Sequence, residues 1–334
     1  MGGAKSKGIW GVRNSDLFRG LDVQNLASEN PVSYIDIGTR GGFQDDLAAI
    51  AFAVDAIGFE PEQKAFDILD VTGTGPWRSA RILPHAIGGV TGHQILSVPT
   101  DPVSTTLLTP DPAIGRRFDK SQFFDVQEKI EVETLLLDDA LSDLELPSRD
   151  FLKIDIEGAE LDVLKGSPET VDSLLAVKTE VSFLKHRVNQ PLAHDIAAFF
   201  HERGFELMDL VDQAHWRREG YVIHPYLSSD NPRYSRGQLV QSDYLFFRSV
   251  DRLGDDVPAK IRLALIAMAM GYFDYALTVF ESPDVTEHVD ESYGVKAIDL
   301  VAPASRRYGR KVHRRAIWQQ LRGLVPLLRY LKNH

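Results

Sequence analysis

The 334-residue chain contains no cysteine. It therefore has no disulfide framework, no thiolate metal site and no thiol nucleophile, which fits a cytoplasmic protein. No apolar run approaches the roughly eighteen residues that a membrane span needs, and no signal peptide is found. The ten histidines show no metal-ligand spacing, and there is neither a Walker loop nor a Ser-His-Asp elbow. These absences indicate a soluble globular protein whose chemistry rests on other residues.

The net charge of −11 is unevenly distributed along the chain. From Leu300 to His334 there are nine Lys or Arg residues and no acid, so subtracting this +9 leaves a net charge of −20 on residues 1–299. A body with that charge repels nucleic acid through its own field. We therefore expect no nucleic-acid partner.

The order of predicted elements suits one large α/β domain with an appendage. Strand and helix patterns alternate between residues 32 and 250, whereas only helical patterns follow residue 251. We predict an N-terminal arm (1–31), a ligand-binding catalytic domain (32–250) and a helical extension (251–334) that ends in a basic amphipathic tail.

The chain is organised around a glycine-rich turn at the end of its first predicted strand. A run rich in β-branched and aromatic residues ends at Asp36-x-Gly38-x-x-Gly41, and a predicted helix over 44–54 follows. Glycines let the backbone turn sharply and approach a ligand closely. The first N–H groups of the next helix can then bind polar or anionic ligand atoms. The spacing differs from the dinucleotide-binding Gly-x-Gly-x-x-Gly, and a glycine turn without a ligand is the alternative interpretation.

An acid follows the second predicted strand. Ala56 to Phe59 reads as that strand, and it ends at Glu60-Pro61. Glu60 lies about twenty residues past the glycine turn, where nucleotide-binding α/β folds place an acid that binds the ribose hydroxyls. Together the turn and the acid predict a nucleoside site.

The segment 150–160 is a predicted strand that ends in a cluster of acids. Alternation along the strand would place Lys153, Asp155 and Glu157 on one face. Glu180 ends the next predicted strand and reaches the same edge of the sheet. Crowded carboxylates repel, so they need a cation, a shared proton or a hydrogen-bonding substrate. The alternative is a solvated turn that leads into a helix.

Residues 101–125 are long for a connection in a compact domain, and we interpret them as a substrate-covering loop, with disorder as the alternative. Further predicted strands lie over 80–84, 126–133 and 175–181, with a polar hairpin over 90–98 and an antiparallel strand pair over 205–210 and 243–248. Further predicted helices lie over 15–25, 63–69, 135–144, 161–165 and 195–203, followed by a helical hairpin over 258–280 and a last helix over 305–324 that Pro326 breaks or restarts.

From residue 32 to residue 250 the sequence resembles the FkbM family of S-adenosylmethionine-dependent methyltransferases. The segments that carry the resemblance are Asp36-Ile-Gly-Thr-Arg-Gly-Gly42, Phe59-Glu60-Pro61, Leu152-Lys-Ile-Asp-Ile-Glu-Gly-Ala-Glu160, Glu180-Val-Ser182 and Gln241-Ser-Asp-Tyr-Leu-Phe-Phe247. The third segment is the most specific, because the glycine turn occurs in most class I methyltransferases. The chain differs from the usual pattern in carrying Thr39-Arg40 where smaller or amide residues are common.

The resemblance implies an α/β fold of the class I methyltransferase type, with a doubly wound, mostly parallel seven-stranded sheet and a C-terminal helical extension. It also implies S-adenosylmethionine as the cofactor and a hydroxyl of a sugar, glycan or natural product as the acceptor. The cofactor-binding residues that it implies are Asp36, Gly38, Thr39, Arg40, Gly41, Glu60, Pro61, Ala86, Ile87 and Asp155. Glu60 would bind the ribose, Gly38 and Gly41 the methionine end, and Ala86 and Ile87 the adenine, with Asp155 between cofactor and acceptor.

A sugar hydroxyl is a poor nucleophile, so its methylation needs a general base or a metal ion. Asp155, Glu157 and Glu180 are the expected catalytic residues and can supply either. A metal ion such as Mg²⁺ prefers oxygen ligands, for which Asp155 and Glu180 are the candidates. Two other functions remain open: a nucleoside-binding module without turnover, and an NAD-type dinucleotide enzyme, against which the missing Gly-x-Gly-x-x-Gly stands.

The C-terminal tail carries an apolar stripe. Ile317, Leu321, Leu324, Leu328 and Leu331 recur at three- and four-residue steps, and arginines and lysines flank them. A basic amphipathic helix of this kind can lie on an anionic membrane. It can also pack on the protein's own acidic body or pair two chains, and the sequence leaves these interpretations open. Peripheral attachment at the inner face of the membrane would bring the domain to a lipid-linked glycan.

Overall fold

The computed structural model describes residues 16–72, 75–218 and 235–333. Ten strands form in this part of the chain, at the runs of β-branched and aromatic residues. They are β1 (Val32–Ile37), β2 (Val54–Phe59), β3 (Ser79–Leu83), β4 (Ala86–Ile87), β5 (Gly92–Pro99), β6 (Val126–Leu135), β7 (Phe151–Ile154), β8 (Ala176–Ser182), β9 (Phe205–Trp216) and β10 (Gln238–Arg248).

Helices connect and cover these strands. The α-helices are α1 (Asp22–Glu29), α2 (Gln63–Thr72), α3 (Pro112–Arg117), α4 (Leu137–Ser142), α5 (Glu160–Gly166), α6 (Pro168–Ser173), α7 (Ala193–Glu202), α8 (Val257–Met270), α9 (Phe273–Phe280), α10 (Pro283–Tyr293) and α11 (Ala297–Asn333). The 3₁₀ helices are Asp45–Ala53, Pro102–Ser104, Ser121–Phe123 and Val250–Leu253. Among the described residues, none of these helices is both long and apolar enough to cross a membrane.

The main sheet has seven strands in the order β3-β2-β1-β7-β8-β10-β9. The first five strands run parallel, and β10 pairs antiparallel with both β8 and β9. This confirms the predicted mostly parallel seven-stranded sheet and its antiparallel closing pair. Because the parallel strands end at one edge, the turns after β1, β2, β7 and β8 meet there.

A small second sheet has the order β4-β6-β5. Its strand β5 pairs antiparallel with β6 from Gly92 to Pro99. The predicted hairpin over 90–98 is therefore wrong, because these residues form one strand whose partner comes some thirty residues later. The intervening segment 101–125 is folded into three short helices. Thr106 pairs with Ser97 of β5 through two backbone hydrogen bonds, which fix the segment to this sheet.

Alternating residues of the main sheet pack into two cores. Ile35, Leu152 and Phe246 lie on the face that α4, α5, α6 and α7 cover. Tyr34 and Phe151 lie on the opposite face, which α1, the 3₁₀ helix Asp45–Ala53 and the C-terminal helices cover. The sheet is thus covered by helices on both faces, as predicted for a doubly wound fold.

The C-terminal helices belong to this second core. Helix α8 is apolar except for Lys260 and Arg262, and eleven of its residues are buried, which is typical of a helix inside a protein. The side chain of Asp256 caps its first turn by accepting a hydrogen bond from the Ala259 amide over 2.9 Å. The helix ends at Gly271, whose φ of 97° is the left-handed conformation of a helix C-terminus. The predicted domain boundary at residue 250 therefore falls within one continuous core.

The predicted N-terminal arm contributes to the same core. Leu17, Phe18, Val23 and Leu26 are fully buried against the sheet and the C-terminal helices. Residues 1–15 of the predicted arm lie outside the described residues.

Two predicted helices differ from the structure. The predicted helix over 44–54 is a 3₁₀ helix with non-helical dihedrals at Leu47 and Ile50, because its residues follow the packing against α8. The predicted last helix over 305–324 is instead α11, which starts at Ala297 and continues past Pro326 to Asn333. Pro326 removes one backbone hydrogen bond of the helix. The neighbouring alanines, leucines and arginines are good helix formers, so the helix continues past it.

Candidate active site

A cavity of about 890 Å³ opens at the carboxyl ends of the parallel strands. Its lining includes the turn after β1, the acid after β2, the acidic turn after β7 and the segment that precedes β6, together with residues of β4, β8, β9 and β10. Such an edge is the usual ligand site of an open α/β sheet. The sequence-predicted residues that line the cavity are Gly38, Arg40, Gly41, Glu60, Pro61, Ala86, Ile87, Asp155, Glu157 and Glu180.

The turn after β1 needs glycine at position 38. Gly38 has a φ of +85°, and a Cβ atom there would lie 2.1 Å from the carbonyl oxygen of Asp155. The left-handed backbone and the close approach of the second turn both exclude a side chain. The glycine therefore joins the turn after β1 to the acidic turn after β7.

The buried side chain of Lys153 is hydrogen-bonded to the glycine turn. Lys153 Nζ donates a hydrogen bond of 3.1 Å to the carbonyl oxygen of Gly38 and lies 3.2 Å from Asp36 Oδ1 and 3.7 Å from Asp155 Oδ2. Burial alone would lower the pKa of Lys153, but the carboxylates of Asp36 and Asp155 raise it above its usual value. The ammonium therefore stays charged and connects strand β7 to the glycine turn.

A second buried lysine lies beside it on the same face of the sheet. Lys178 Nζ donates to Asp46 Oδ2 over 2.8 Å and to Gln44 Oε1 over 2.5 Å, and it lies 3.8 Å from Asp243. Lys153 and Lys178 are in register on neighbouring strands. The Lys153 ammonium joins β7 to the glycine turn, and the Lys178 ammonium joins β8 to the 3₁₀ helix and the residue before it.

Asp36 and Thr39 lie behind the cavity surface. Asp36 is fully buried against Lys153. The Thr39 hydroxyl donates to the carbonyl oxygen of Asp36 over 2.9 Å and accepts from the Phe59 amide over 3.0 Å. Both were expected among the cofactor-binding residues, and neither is at the cavity surface: the Asp36 carboxylate faces Lys153 of β7, and the Thr39 hydroxyl joins β1 to β2. Thr39 fits there because Gly58 leaves room for it.

Glu60 lies at the end of β2 with its carboxylate fixed. Its Oε1 accepts a hydrogen bond of 2.9 Å from the amide of Glu62, and burial raises its pKa above the usual value. Glu62 in turn forms an ion pair with Arg40 over 2.7 Å. Arg40 therefore lies at the rim of the cavity against Glu62. Ala86 and Ile87 form β4, and both are buried at the cavity wall.

Three acids come together near the carboxyl ends of β7 and β8. Carboxylate oxygens of Asp155, Glu157 and Glu180 lie within 4.8 Å of one another. Strand β7 ends at Ile154, so the predicted alternation of Lys153, Asp155 and Glu157 along one strand face is wrong for the two acids. They belong to the turn, where the Asp155 amide bonds the carbonyl oxygen of Ile37 over 3.1 Å.

Glu157 is held in a strained backbone conformation. Its φ of 63° is uncommon for a residue other than glycine. The Thr106 hydroxyl donates to its carbonyl oxygen over 2.8 Å, and its carboxylate forms an ion pair with the buried Arg187. Arg187 was not expected from the sequence, because no local pattern marks it and it lies thirty residues away in the chain.

Glu180 has an environment that favours its neutral form. Its carboxylate accepts a hydrogen bond from the side chain of Gln241, and it is only 8 % exposed. Burial, followed by repulsion from Glu157 and Asp155, raises the pKa of Glu180 well above its usual value. Gln241 belongs to the motif that closes the family resemblance, which is the only sequence signal for its role.

An aromatic wall, formed by Phe124, His186 and Trp216, bounds the cavity beyond the acids. The rings of His186 and Trp216 are stacked with centroids 5.0 Å apart, and Phe124 meets each of them edge-on. Burial lowers the pKa of His186 to about 3, so its imidazole is neutral. The segment 101–125 is attached to this wall, because the Asp111 amide donates a hydrogen bond of 3.0 Å to the carbonyl oxygen of His186.

The strand order, the reversed strand β10 and the cavity at the strand ends define a class I methyltransferase fold. The sequence profile described as "Methyltransferase FkbM domain" matches residues 36–207, which is just over half of the chain. The protein belongs to the FkbM methyltransferase family. This membership confirms the resemblance seen in the motifs and argues against an NAD-type enzyme.

Among solved structures, the chain is similar to the 23S rRNA methyltransferase ErmE, with a TM-score of 0.31 and 10% identity over 87% of this chain and 96% of that one. It is also similar to a putative RNA methyltransferase from Pyrococcus horikoshii, with a TM-score of 0.28 and 13% identity over 74% and 92% of the two chains. Similarity at this level carries no information about the acceptor. No curated protein matches the sequence.

Proposed function

We propose that the protein transfers a methyl group from S-adenosylmethionine to a hydroxyl of a sugar or glycan acceptor. The observation that carries this proposal is the contact between the two turns of the cavity. The backbone of Asp155 lies against Gly38, so an acid is fixed beside the turn that would hold the methionine end of the cofactor. Positioning of this kind does much of the work in a displacement reaction.

The residues present fit this cofactor. The glycine turn with Gly38 and Gly41 lines the cavity, and the buried carboxylate of Glu60 supplies an acceptor for ribose hydroxyls. When bound, S-adenosylmethionine supplies a methyl group on a sulfonium, which an oxygen nucleophile attacks in line. Ala86 and Ile87 offer an apolar edge to the adenine.

The proposal assigns different roles to the three acids. The carboxylate of Glu157 is paired with the Arg187 guanidinium, and burial together with the neighbouring acids raises the pKa of Glu180, which favours its neutral form. Asp155 has a side chain that is 37 % exposed, and its carboxylate lies 3.7 Å from the Lys153 ammonium and has no other ion-pair partner among the described residues. Asp155 is therefore the base that removes the proton of the acceptor hydroxyl. Glu180 and Gln241 orient the acceptor by hydrogen bonds.

The far side of the cavity supports a ring-shaped polyhydroxyl acceptor. The aromatic wall offers apolar ring faces and edges to the C–H groups of a sugar. Nε and Nη1 of Arg187 have no hydrogen-bond partner within the described ranges of the chain, although its residue is only 4 % exposed. Buried donors of this kind normally bond an oxygen, and acceptor hydroxyls would supply one.

The same acids have the chemistry of a Mg²⁺ site, and Asp155 and Glu180 would hold the ion through hard oxygen ligands. Arg187 already provides a positive charge in the cluster, so base catalysis by Asp155 does not depend on a metal. Removal of divalent ions with a chelator separates these roles. Loss of activity that Mg²⁺ restores would make the acids chiefly metal ligands.

The proposal is tested by incubating the protein with methyl-labelled S-adenosylmethionine and an extract of cell envelope. We expect label in the glycan fraction that survives mild alkali, because an ether is stable where a methyl ester is hydrolysed. Asp155→Asn should keep cofactor binding and lower the rate by about 10²-fold or more. Asp162→Asn, an exposed acid on α5, is the matched control. A full rate in Asp155→Asn, or label only in protein or nucleic acid, would contradict the proposal. Cofactor binding without any turnover would indicate a binding module.

A further inference from the structure

Helix α11 is packed on the body at its start and is exposed over residues 316–321. Leu300, Val301 and Ala304 are buried in the core, and Arg307 donates hydrogen bonds to the carbonyl oxygens of Leu17 and Arg19 over 3.2 and 2.6 Å. Lys311 forms an ion pair with Asp16. From residue 316 to residue 321 every side chain is exposed or nearly so. The helix is therefore anchored over its first half, exposes the side chains of residues 316–321, and continues as a helix to Asn333.

Three large apolar side chains lie on the exposed part. Ile317, Trp318 and Leu321 are 58%, 66% and 52% exposed. They occupy one side of the helix, because residues three to four positions apart lie on the same face. The sequence continues this spacing with Leu324, Leu328 and Leu331, whose side chains lie outside the described residues. Packing on the protein's own body, one of the three interpretations left open by the sequence, does not occur at the three described residues.

The charge of the helix from Leu300 onward is of one sign. Between Leu300 and His334 there are nine Lys or Arg residues and no acid, whereas the rest of the chain carries a net charge of −20. Two such helices repel each other when they are brought side by side. An anionic lipid surface attracts basic residues and also takes up apolar side chains at the boundary between headgroups and acyl chains. Tryptophan is favoured at that boundary.

We propose that the exposed face of α11 around Ile317, Trp318 and Leu321 binds the surface of a membrane that contains anionic lipids. The helix lies in the plane of the interface with this apolar face inserted and its basic residues at the headgroups. The protein is thereby held at a lipid surface while its catalytic cavity stays in water. This inference is independent of the proposed acceptor, since it concerns a surface outside the cavity.

The test is co-sedimentation of the full chain with vesicles of phosphatidylglycerol and phosphatidylcholine in equal parts, and with vesicles of phosphatidylcholine alone. We expect the protein to sediment with the anionic vesicles at low salt and to be released at high salt. The triple variant Ile317→Ser, Trp318→Ser, Leu321→Ser should lower the partition coefficient by at least about tenfold, because it removes the inserted side chains. The double variant Arg310→Glu, Arg314→Glu, at two exposed positions of the same helix, should lower it on anionic vesicles.

Two controls keep the test specific to this face. Gln319→Ser with Gln320→Ser changes exposed polar positions of the same turn, and Ile298→Ser removes an apolar side chain that is 47% exposed near the start of the helix. Both should sediment like the unmodified chain. The inference is overturned if the unmodified chain stays in the supernatant at low salt, or if the triple variant sediments equally well. Tail-dependent dimers without vesicle binding, measured by light scattering, would assign the face to a second copy and overturn it too.

Discussion

The ammonium of Lys153 and the carbonyl oxygen of Gly38 are joined by a hydrogen bond of 3.1 Å at the base of the cavity. Lys153 comes from the middle strand β7, and Gly38 begins the turn after β1. The lysine also faces the buried carboxylate of Asp36 over 3.2 Å. The position of the glycine turn thus depends on a charge pair that is nearly closed to water.

Lys153→Met should destabilise the protein strongly. The change leaves the carboxylate of Asp36 buried without its partner, and breaking a buried pair on one side costs about 3–5 kcal/mol. Asp36→Asn in the same chain should recover part of the loss, because it removes the uncompensated charge. Denaturant unfolding of the two single variants and the double variant measures this coupling. Additive losses would show that the two groups do not interact.

Gly38→Ala should abolish cofactor binding and lower the free energy of unfolding. The new Cβ would lie 2.1 Å from the backbone oxygen of Asp155, and the residue has a φ of +85°. The matched control is Gly20→Ala, at a φ of +68° with no atom near the added Cβ. The control isolates the cost of the left-handed backbone, about 1–2 kcal/mol. Equal losses in the two variants, measured by denaturant unfolding, would remove the close approach of the two turns from the explanation.

Glu60→Ala should weaken S-adenosylmethionine binding by roughly 1.5–3 kcal/mol, the loss expected for charge-assisted hydrogen bonds to hydroxyls. Glu60 lines the cavity with its carboxylate oriented by the Glu62 amide. Glu131→Ala, at a side chain that is 69% exposed on β6, is the control. Calorimetric titration of both variants measures the difference. Unchanged affinity in a folded Glu60→Ala protein would exclude Glu60 from the cofactor site.

Glu160 should make the protein less stable as the pH rises. Burial raises its pKa from 4.5 to about 7, although the amides of Gly158 and Ile156 oppose the shift by donating hydrogen bonds of 3.0 Å to its carboxylate. Because the folded-state pKa is the higher one, the unfolded chain loses its proton first. The free energy of unfolding therefore falls between pH 4.5 and 7, by up to about 3 kcal/mol.

Glu160→Gln keeps the acceptor oxygen for these amides and cannot ionise. Its free energy of unfolding should therefore rise relative to the unmodified protein when the pH is raised from about 5 to about 8. Denaturant unfolding at the two pH values gives the comparison, and Glu169→Gln at an exposed position of α6 is the control. The same fall in Glu160→Gln as in the unmodified chain would assign the pH dependence to other groups, among them Asp243, whose pKa burial raises to about 7.

The sequence predicted those parts of the fold that depend on residues close together in the chain. Strand runs, the glycine turn and the acid after β2 each have a pattern of neighbouring residues, and all three meet at the cavity. Helix α8 was predicted from its apolar run, but its place in the core was not, because the run alone does not say which surface it covers. The predicted hairpin over 90–98 failed because the partner of β5 lies in β6.

The unpredicted parts of the site are pairings between distant residues. Arg187 meets Glu157, and Lys178 meets Asp46, across 30 and 132 positions of the chain. Nothing near these residues in the sequence marks them as partners. The strand register brings Lys153 and Lys178 side by side, so their roles follow from the sheet and not from either segment alone.

Binding of S-adenosylmethionine in the cavity can be measured without knowing the acceptor. Isothermal titration calorimetry with S-adenosylhomocysteine and, separately, with NAD is the decisive measurement. We predict saturable one-to-one binding of S-adenosylhomocysteine that Gly38→Ala abolishes, and no saturable heat with NAD. Binding of NAD, or no binding of S-adenosylhomocysteine by the folded protein, would contradict the account.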